Sequence, residues 1–541
     1  YGTSAVAFAG AAAALGAVLR LSARRALQPL SVVLAGLVVS LYLGSLTGIV
    51  MLFFSEETRG VMQWGSGSLV QDSWRDTLGL LWRIAVAAIL TAFLIKPLNI
   101  MSLGDTQAES AGIPVKKIRL LSLAVAAFLS AGVVGFVGMM GFVGLAAATL
   151  VRQMGVRTLS MRLICSFIVG ALLLMLTDNG LMLLKHYRGT DLPAGAVTAL
   201  VGAPLLLWLT AKAPPRPSFQ TTSDISTAAP HVPRLLRFLL LIAVAVSVLA
   251  FTVGRYDETL RLTIDPEYFV FRYPRVLLAA ATGTMLALTG VILQRLTQNP
   301  MAGPELLGIS SGTAFGAMSV VMLFGITSGS GWFWLTGIVS ALVSLGLLML
   351  FNRKNGFTPE KILLTGMALA ALADAAIRIW MATGDFRVQL LLLWMSGSTY
   401  QATPESALTV GLLAAASLLL ILTLQRWLGL LSLNATIARS VGINIPLARL
   451  VLIVLSAALT ALSTLLIGPL SFVGLLAPHL ARMLGARLPK QQLAAAALIG
   501  ASVMMTADWL GRQVMFPYEV PAGMMATLIG GAYFMMMMRK L

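Results

Sequence analysis

The sequence predicts an all-α, polytopic membrane protein built from two tandem copies of one ten-helix module. Three observations carry this prediction. First, 58% of the 541 residues are hydrophobic and 11% are charged, against about 25% charged in soluble domains. Second, about seventeen apolar stretches follow one another, many near the ~20 residues that cross a bilayer as a helix. Third, the two parts of the chain repeat each other at a constant offset of 330 residues.

The stretches run in order. Residues 2–19, 30–54, 78–97, 120–138, a short 140–152, 163–184 and 194–210 form the first copy. Only helices satisfy their own backbone in lipid, so each reads as a helix. Residues 211–236 hold Pro214, Pro215, Pro217, Pro230 and Pro233 among Ser and Thr, and read as a linker. The apolar pattern resumes at 236–254, 276–293, 311–325, 332–352, 362–382, 405–424, 450–468, 470–484, 492–515 and 521–538. The expected organisation is a first module over 1–210, a cytoplasmic linker over 211–236 and a second module over 237–541.

The repeat is explicit. Trp64-Gly65-Ser66-Gly67-Ser68 returns as Trp394-Met395-Ser396-Gly397-Ser398. Gly36 matches Gly366, Ser110-Ala111-Gly112-Ile113 matches Ser440-Val441-Gly442-Ile443, and Gly141-Phe142-Val143-Gly144-Leu145 matches Ser471-Phe472-Val473-Gly474-Leu475. Arg152 matches Arg482, and Asp178 matches Asp508. Near the end the offset becomes 328, with Leu192-Pro193-Ala194-Gly195 against Val520-Pro521-Ala522-Gly523. The copies share orientation, because equivalent basic positions fall on the same side. That argues against an inverted-repeat transporter. About three spans at the start of the second copy have no first-copy counterpart, so the first copy is expected to be truncated at its N-terminus, with a parent of twenty spans.

Charge supplies orientation. With the linker cytoplasmic, Arg24, Arg25, Lys116, Lys117, Arg119, Arg157, Arg162, Arg353, Lys354, Arg487, Lys490, Arg539 and Lys540 fall inside, as the positive-inside rule requires. The net charge of +18 is then a topology signal and calls for no nucleic-acid partner. The composition excludes a soluble enzyme and a disordered chain. One cysteine, Cys165, excludes a disulfide framework. His186, His231 and His479 are too scattered for a metal site, so none is expected. No phosphate-binding loop motif occurs, so no ATPase site is expected on this chain.

Several long motifs lie in one order. They are Phe271-Arg272-Tyr273-Pro274-Arg275, Asn299-Pro300-Met301-Ala302-Gly303-Pro304-Glu305-Leu306-Leu307-Gly308, Gly468–Arg482 with Pro478-His479, and Tyr518-Glu519-Val520-Pro521-Ala522-Gly523. Together they resemble the iron-siderophore and vitamin B12 family of ATP-binding-cassette importer permeases, over essentially the whole chain. The fused double module is similar to the family's iron(III)-hydroxamate, ferrichrome-type branch. The resemblance implies a transport subunit of a bacterial inner membrane without its own catalysis or bound cofactor. Its implied partners are two cytoplasmic ATPase subunits that use ATP, a periplasmic siderophore-binding protein and the lipid bilayer. Another siderophore, haem or vitamin B12 stays open as cargo. An ion-driven secondary transporter is the alternative from a different class.

The resemblance also implies sites. Arg272, Arg275 and Arg512 match outer arginines that dock the acidic binding protein; interfacial charge anchoring is the plainer reading. In the first copy Met182 replaces Arg512, with Lys185, His186 and Arg188 as possible substitutes, so docking could be asymmetric. Two inner segments match the loops that couple to the ATPases, with contacts at Leu103, Ala108, Ser110, Ala111 and Gly112, and at Leu433, Ala438, Ser440, Val441 and Gly442. Gln28 and Pro29, with Thr358 and Pro359, resemble the position of an inner gate. The i,i+4 pairs Asp508/Arg512 and Asp374/Arg378 read as ion pairs facing the bundle interior, or as a proton relay. His479 reads as a packing or inner-loop residue rather than a ligand, since a lone His is poor evidence for a metal. Trp64 and Trp394 are expected at the outer interface.

Overall fold

The computed structural model describes residues 2–23, 29–54, 56–70, 74–189, 192–212, 232–256, 259–299, 302–305, 307–326, 330–352, 359–382, 385–433, 435–469 and 472–538. The first copy comprises α1 (Gly2–Ser22), α2 (Pro29–Phe53), α3 (Arg59–Gly65), α4 (Trp74–Met101), α5 (Asp105–Ser110), α6 (Val115–Val137), α7 (Val143–Gln153), α8 (Leu159–Arg188) and α9 (Ala194–Lys212). The second comprises α10 (Val232–Thr252), a hairpin of β1 (Val253–Tyr256) and β2 (Thr259–Leu262), α11 (Pro266–Leu296), α12 (Ile309–Phe324), α13 (Gly331–Asn352), α14 (Pro359–Ala382) and α15 (Phe386–Met395). It continues with α16 (Pro404–Thr423), α17 (Gln425–Leu433), α18 (Ala435–Ser440), α19 (Ile445–Ile467), α20 (Val473–Met483), α21 (Pro489–Val514) and α22 (Ala522–Met538).

The offset is structural as well as textual. Helices α5, α6 and α7 begin and end 330 residues before α18, α19 and α20. The positive-φ glycines Gly67, Gly112, Gly138 and Gly155 recur as Gly397, Gly442, Gly468 and Gly485. Phe142 and Phe472 both hold positive φ, at 68° and 86°. The continuous α4, with Pro97 inside it, corresponds to the separate α16 and α17.

Among the described residues, 12 helices are long and apolar enough to cross a membrane, and α9, α12 and α22 contain shorter apolar runs. The spans expected at 140–152 and 470–484 are corrected. They form α7 and α20, each of 11 residues. Such a helix reaches about 16 Å, half of a hydrocarbon core. Each follows a long helix, α6 or α19, after a turn closed by the left-handed phenylalanine. The outer hairpin was also unforeseen. It is antiparallel, with Val253 opposite Leu262 and Tyr256 opposite Thr259.

The copies close on one another symmetrically. α2 packs on α22, and its repeat α14 packs on α9. α1 touches α22, and its repeat α13 touches α9. Two reciprocal contacts of this kind define a pseudo-two-fold axis between the copies. The seam is apolar: Ala35, Val38 and Val39 cluster with Phe472, Leu475, Leu476 and Phe534 on one side. On the other, Ala196 and Ala199 cluster with Ala375. The phenylalanine turns belong to this seam. A Cβ on Gly202 would meet Phe142, and one on Gly530 would meet Phe472.

The second copy's core centres on α11, which packs against α10, α16, α19, α20 and α21. Asp265 caps its start by accepting from the Glu267 amide at 3.1 Å, with Pro266 in the first turn, where no amide is needed. Gly283 on α11 meets Gly500 on α21, and Gly290 meets Gly474 on α20, so near that added Cβ atoms would strike backbone carbonyls. Small residues let helix backbones approach without a hydrophobic drive in lipid.

Candidate functional site

The outer end of the second copy holds an ion network. Asp508 on α21 is fully buried, and its Oδ2 receives Arg512 Nη2 at 3.0 Å, one helical turn on. Its Oδ1 lies 3.5 Å from Arg275 Nε and accepts from the Thr399 hydroxyl. Arg275 grips Glu519 with two parallel bonds of 2.8 Å, the bidentate geometry that suits guanidinium and carboxylate. Arg272 donates to the Phe251 carbonyl at 2.7 Å. A buried carboxylate is tolerable only with such partners.

The three arginines expected to face a partner therefore point inward. Arg272 is 8% exposed. The Arg275 and Arg512 side chains are 14% and 9% exposed. They join α11, α21, the α15–α16 turn and the 517–521 segment. The hairpin is tied on above them, since Trp509 Nε1 donates to the Val253 carbonyl at 3.0 Å and the Arg255 amide to Gln513 Oε1 at 2.9 Å. The side chains of Arg255 and Arg261 on this hairpin are exposed. In the first copy Asp178 sits where Asp508 does, while Met182, Lys185 and His186 are exposed. The Arg188 side chain lies outside the described residues.

The Asp508–Arg512 ion pair forms as the spacing indicated. Asp374 and Arg378 are both exposed and form no ion pair among the described residues, so this pair does not face the bundle interior. His479 packs on Phe534, ring centroids 5.3 Å apart. Among the described residues no three His, Cys, Asp or Glu are grouped to hold a metal. Trp394 is half-buried, edge-on to Phe333 and donating to the Leu465 carbonyl at 3.2 Å near the end of α19.

The inner segments form matching turns. The Ile113 amide bonds the Ala108 carbonyl at 3.0 Å, and the Gly112 amide bonds Glu109 at 2.9 Å. In the second copy Ile443 bonds Ala438 at 3.1 Å and Gly442 bonds Arg439 at 3.0 Å. This nested pair is a helix C-terminal cap, which needs a left-handed residue and so uses glycine. Leu103, Ser110, Ala111, Gly112, Ser440, Val441 and Gly442 are exposed. Ala108 and Ala438 are fully buried; they anchor the turns and present nothing outward. The Leu433 side chain lies outside the described residues. One feature has no sequence forewarning: Arg119 clamps Asp105 at 2.7 and 2.8 Å. The second copy has Ala435 at the aspartate's place.

Pro29 and Pro359 begin α2 and α14, the helices that cross the seam. Gln28 and Thr358 lie outside the described residues, as do the basic residues at 24–25, 353–354 and 539–540. Beside the Phe472 turn, both carboxyl oxygens of Glu305 are enclosed. Burial pushes this carboxyl up to about 7, outweighing the Phe472 backbone amide, which favours the charged form. Glu305, Glu519 and Thr399 were missed as functional candidates, although Glu305 and Glu519 lie within motifs already singled out and Thr399 directly follows one.

The FecCD transport family matches residues 1–212 and 235–540. The iron(3+)-hydroxamate import system permease protein FhuB of Escherichia coli is 38% identical over 524 residues, covering 95% of this chain and 78% of that protein. Its counterpart from Salmonella typhimurium is 39% identical over the same length. The hemin transport system permease protein HmuU of Yersinia pestis is 34% identical, covering 56% of this chain and 95% of that protein. A solved structure described as an inward-facing metal-chelate type ABC transporter aligns with TM-score 0.51 and 29% identity, over 57% of this chain and all of that one. The chain is a multi-pass membrane protein and belongs to the FecCD transport family.

Proposed function

We propose that this chain is the permease of an ATP-driven importer that moves iron(III)-hydroxamate complexes of the ferrichrome type from periplasm to cytoplasm. The observation that carries the reading is the fused pair of modules. Hydroxamate permeases align across 95% of the chain, whereas the hemin permease aligns across 56%. The cargo passes along the seam between the copies, with the starts of α2 and α14 at its inner mouth. Two ATPase subunits in trans press on the two exposed turns after α5 and α18. A short helix closed by a rigid cap passes on a rigid-body push, as a floppy loop cannot. The outer rim receives a binding protein with an acidic surface. In it Arg272, Arg275 and Arg512 hold the scaffold, while Arg255 and Arg261 supply exposed charge. This chain carries out no covalent chemistry and binds no cofactor of its own.

The test is uptake of radioiron-labelled ferrichrome into proteoliposomes holding this chain and its ATPase, with the binding protein outside. ATP-dependent accumulation is expected. Accumulation without the ATPase, or of cobalamin in place of every hydroxamate tried, would overturn the reading.

A further inference from the structure

At the inner ends of α11, α20 and α21, two arginines share one scaffold without an acid. Arg295, in the last turn of α11, donates through Nε to Gln492 Oε1 at 2.7 Å and through Nη2 to the Arg487 carbonyl at 2.6 Å. Arg482 on α20 donates through Nη2 to Gln294 Oε1 at 3.1 Å. Both glutamines are buried. Their amides donate to the Leu475 and Pro478 carbonyls, each at 3.2 Å. That fixes both glutamine oxygens toward the guanidinium groups. The two guanidiniums lie close enough to repel, and burial lowers Arg482 below its ordinary value.

Among the described residues no carboxylate pairs with either guanidinium. The flanking segments 425–449 and 482–492 hold Arg426, Arg439, Arg449, Arg482, Arg487 and Lys490, and neither Asp nor Glu. The carboxyl end of α11 offers about half a negative charge, against two positive ones. Orientation in the membrane explains cations at this end. It does not explain two of them drawn together on oriented glutamines. Both side chains remain partly accessible.

We propose that Arg295 and Arg482 form a receptor for a carboxylate of the docked ATPase, an inference that rests on the importer reading. The position favours this occupant over a lipid phosphate. α11 packs against six helices, α10, α16, α17, α19, α20 and α21, and this packing shields it from lateral approach by lipid. The cluster also reaches the coupling segment, because Arg295 Nη1 lies 3.5 Å from the Ser432 hydroxyl and Gln298 donates to the Ser432 carbonyl at 3.2 Å. A carboxylate held here grips the inner end of the helix whose outer end carries Arg272 and Arg275. One rigid element then links ATPase and outer rim. The first copy keeps two cations in the corresponding region, with Arg152 at the place of Arg482 and Arg162 at that of Gln492.

The experiment measures binding of the cognate ATPase to the permease in phosphatidylcholine nanodiscs, across a salt series. Arg295→Gln and Arg482→Gln should each weaken binding about tenfold and flatten its salt dependence. A second readout needs no variant: phenylglyoxal should modify both arginines in the free permease, and bound ATPase should slow this at least fivefold. Unchanged affinity with unprotected arginines overturns the proposal. So does a defect seen only when phosphatidylglycerol is added, which assigns the site to lipid. A wild-type permease that binds no ATPase at all removes the importer reading itself, and this proposal with it.

Discussion

At the scale of single residues, Asp508 decides the outer rim. Its carboxylate is the shared partner of Arg275 and Arg512; without it Arg275 keeps Glu519, while the buried Arg512 guanidinium loses its ion pair. Asp508→Ala is therefore expected to cost about 3–5 kcal/mol, read as a lower melting temperature in detergent. Adding Arg512→Met, the residue the first copy carries at that place, should recover part of the loss. Glu305 gives a second prediction with a definite sign. A carboxyl raised to about 7 holds its proton more tightly in the folded chain than in the unfolded one. Its stabilising effect is complete below the ordinary carboxylate range and is lost as pH rises through about 7. Glu305→Gln should flatten that part of the melting-temperature profile between pH 4.5 and 8, and an identical profile in the variant would contradict the assignment. The arginines themselves were legible in the sequence, but their direction was not. Glu519 lies 244 residues from Arg275, and no local pattern joins the two.

At the scale of elements, the glycines of the turns separate coupling from stability. Gly442 has φ 85°, and a Cβ there would touch nothing. Gly442→Ala therefore carries only the left-handed backbone cost of about 1–2 kcal/mol, confined to the turn. It should lower permease-stimulated ATP hydrolysis several-fold with little change in melting temperature. Gly468 is the contrast, since a Cβ there would strike the Trp394 carbonyl. Gly468→Ala should destabilise the whole fold. The helices were readable because lipid leaves a polar backbone no alternative. The half-length α7 and α20 were not, because hydropathy runs unbroken through 470–484 while a single left-handed phenylalanine sets the turn. The hairpin escaped for a similar reason: its strands have four residues each, too few for alternation to register.

At the scale of the molecule, an offset found in letters reappears as an axis in space. Equivalent helices make equivalent contacts with the opposite copy, and together they form one seam between the copies. The symmetry is imperfect where partners would bind. The turn after α5 follows Asp105 and Glu109, whereas the turn after α18 follows Ala435 and Arg439, so two identical ATPases would meet unlike surfaces. The axis itself can be measured. Ser45 on α2 donates to the Met524 carbonyl on α22 at 2.9 Å. The equivalent positions in the other seam, Ala375 and Ala196, share one buried cluster. In a Cys165→Ser background, Ser45→Cys with Met524→Cys and Ala196→Cys with Ala375→Cys should both cross-link with a short bismaleimide in native membranes. Each cross-link should halt ATP-driven uptake. Cross-linking at one seam but not at its counterpart would contradict the pseudo-two-fold conduit.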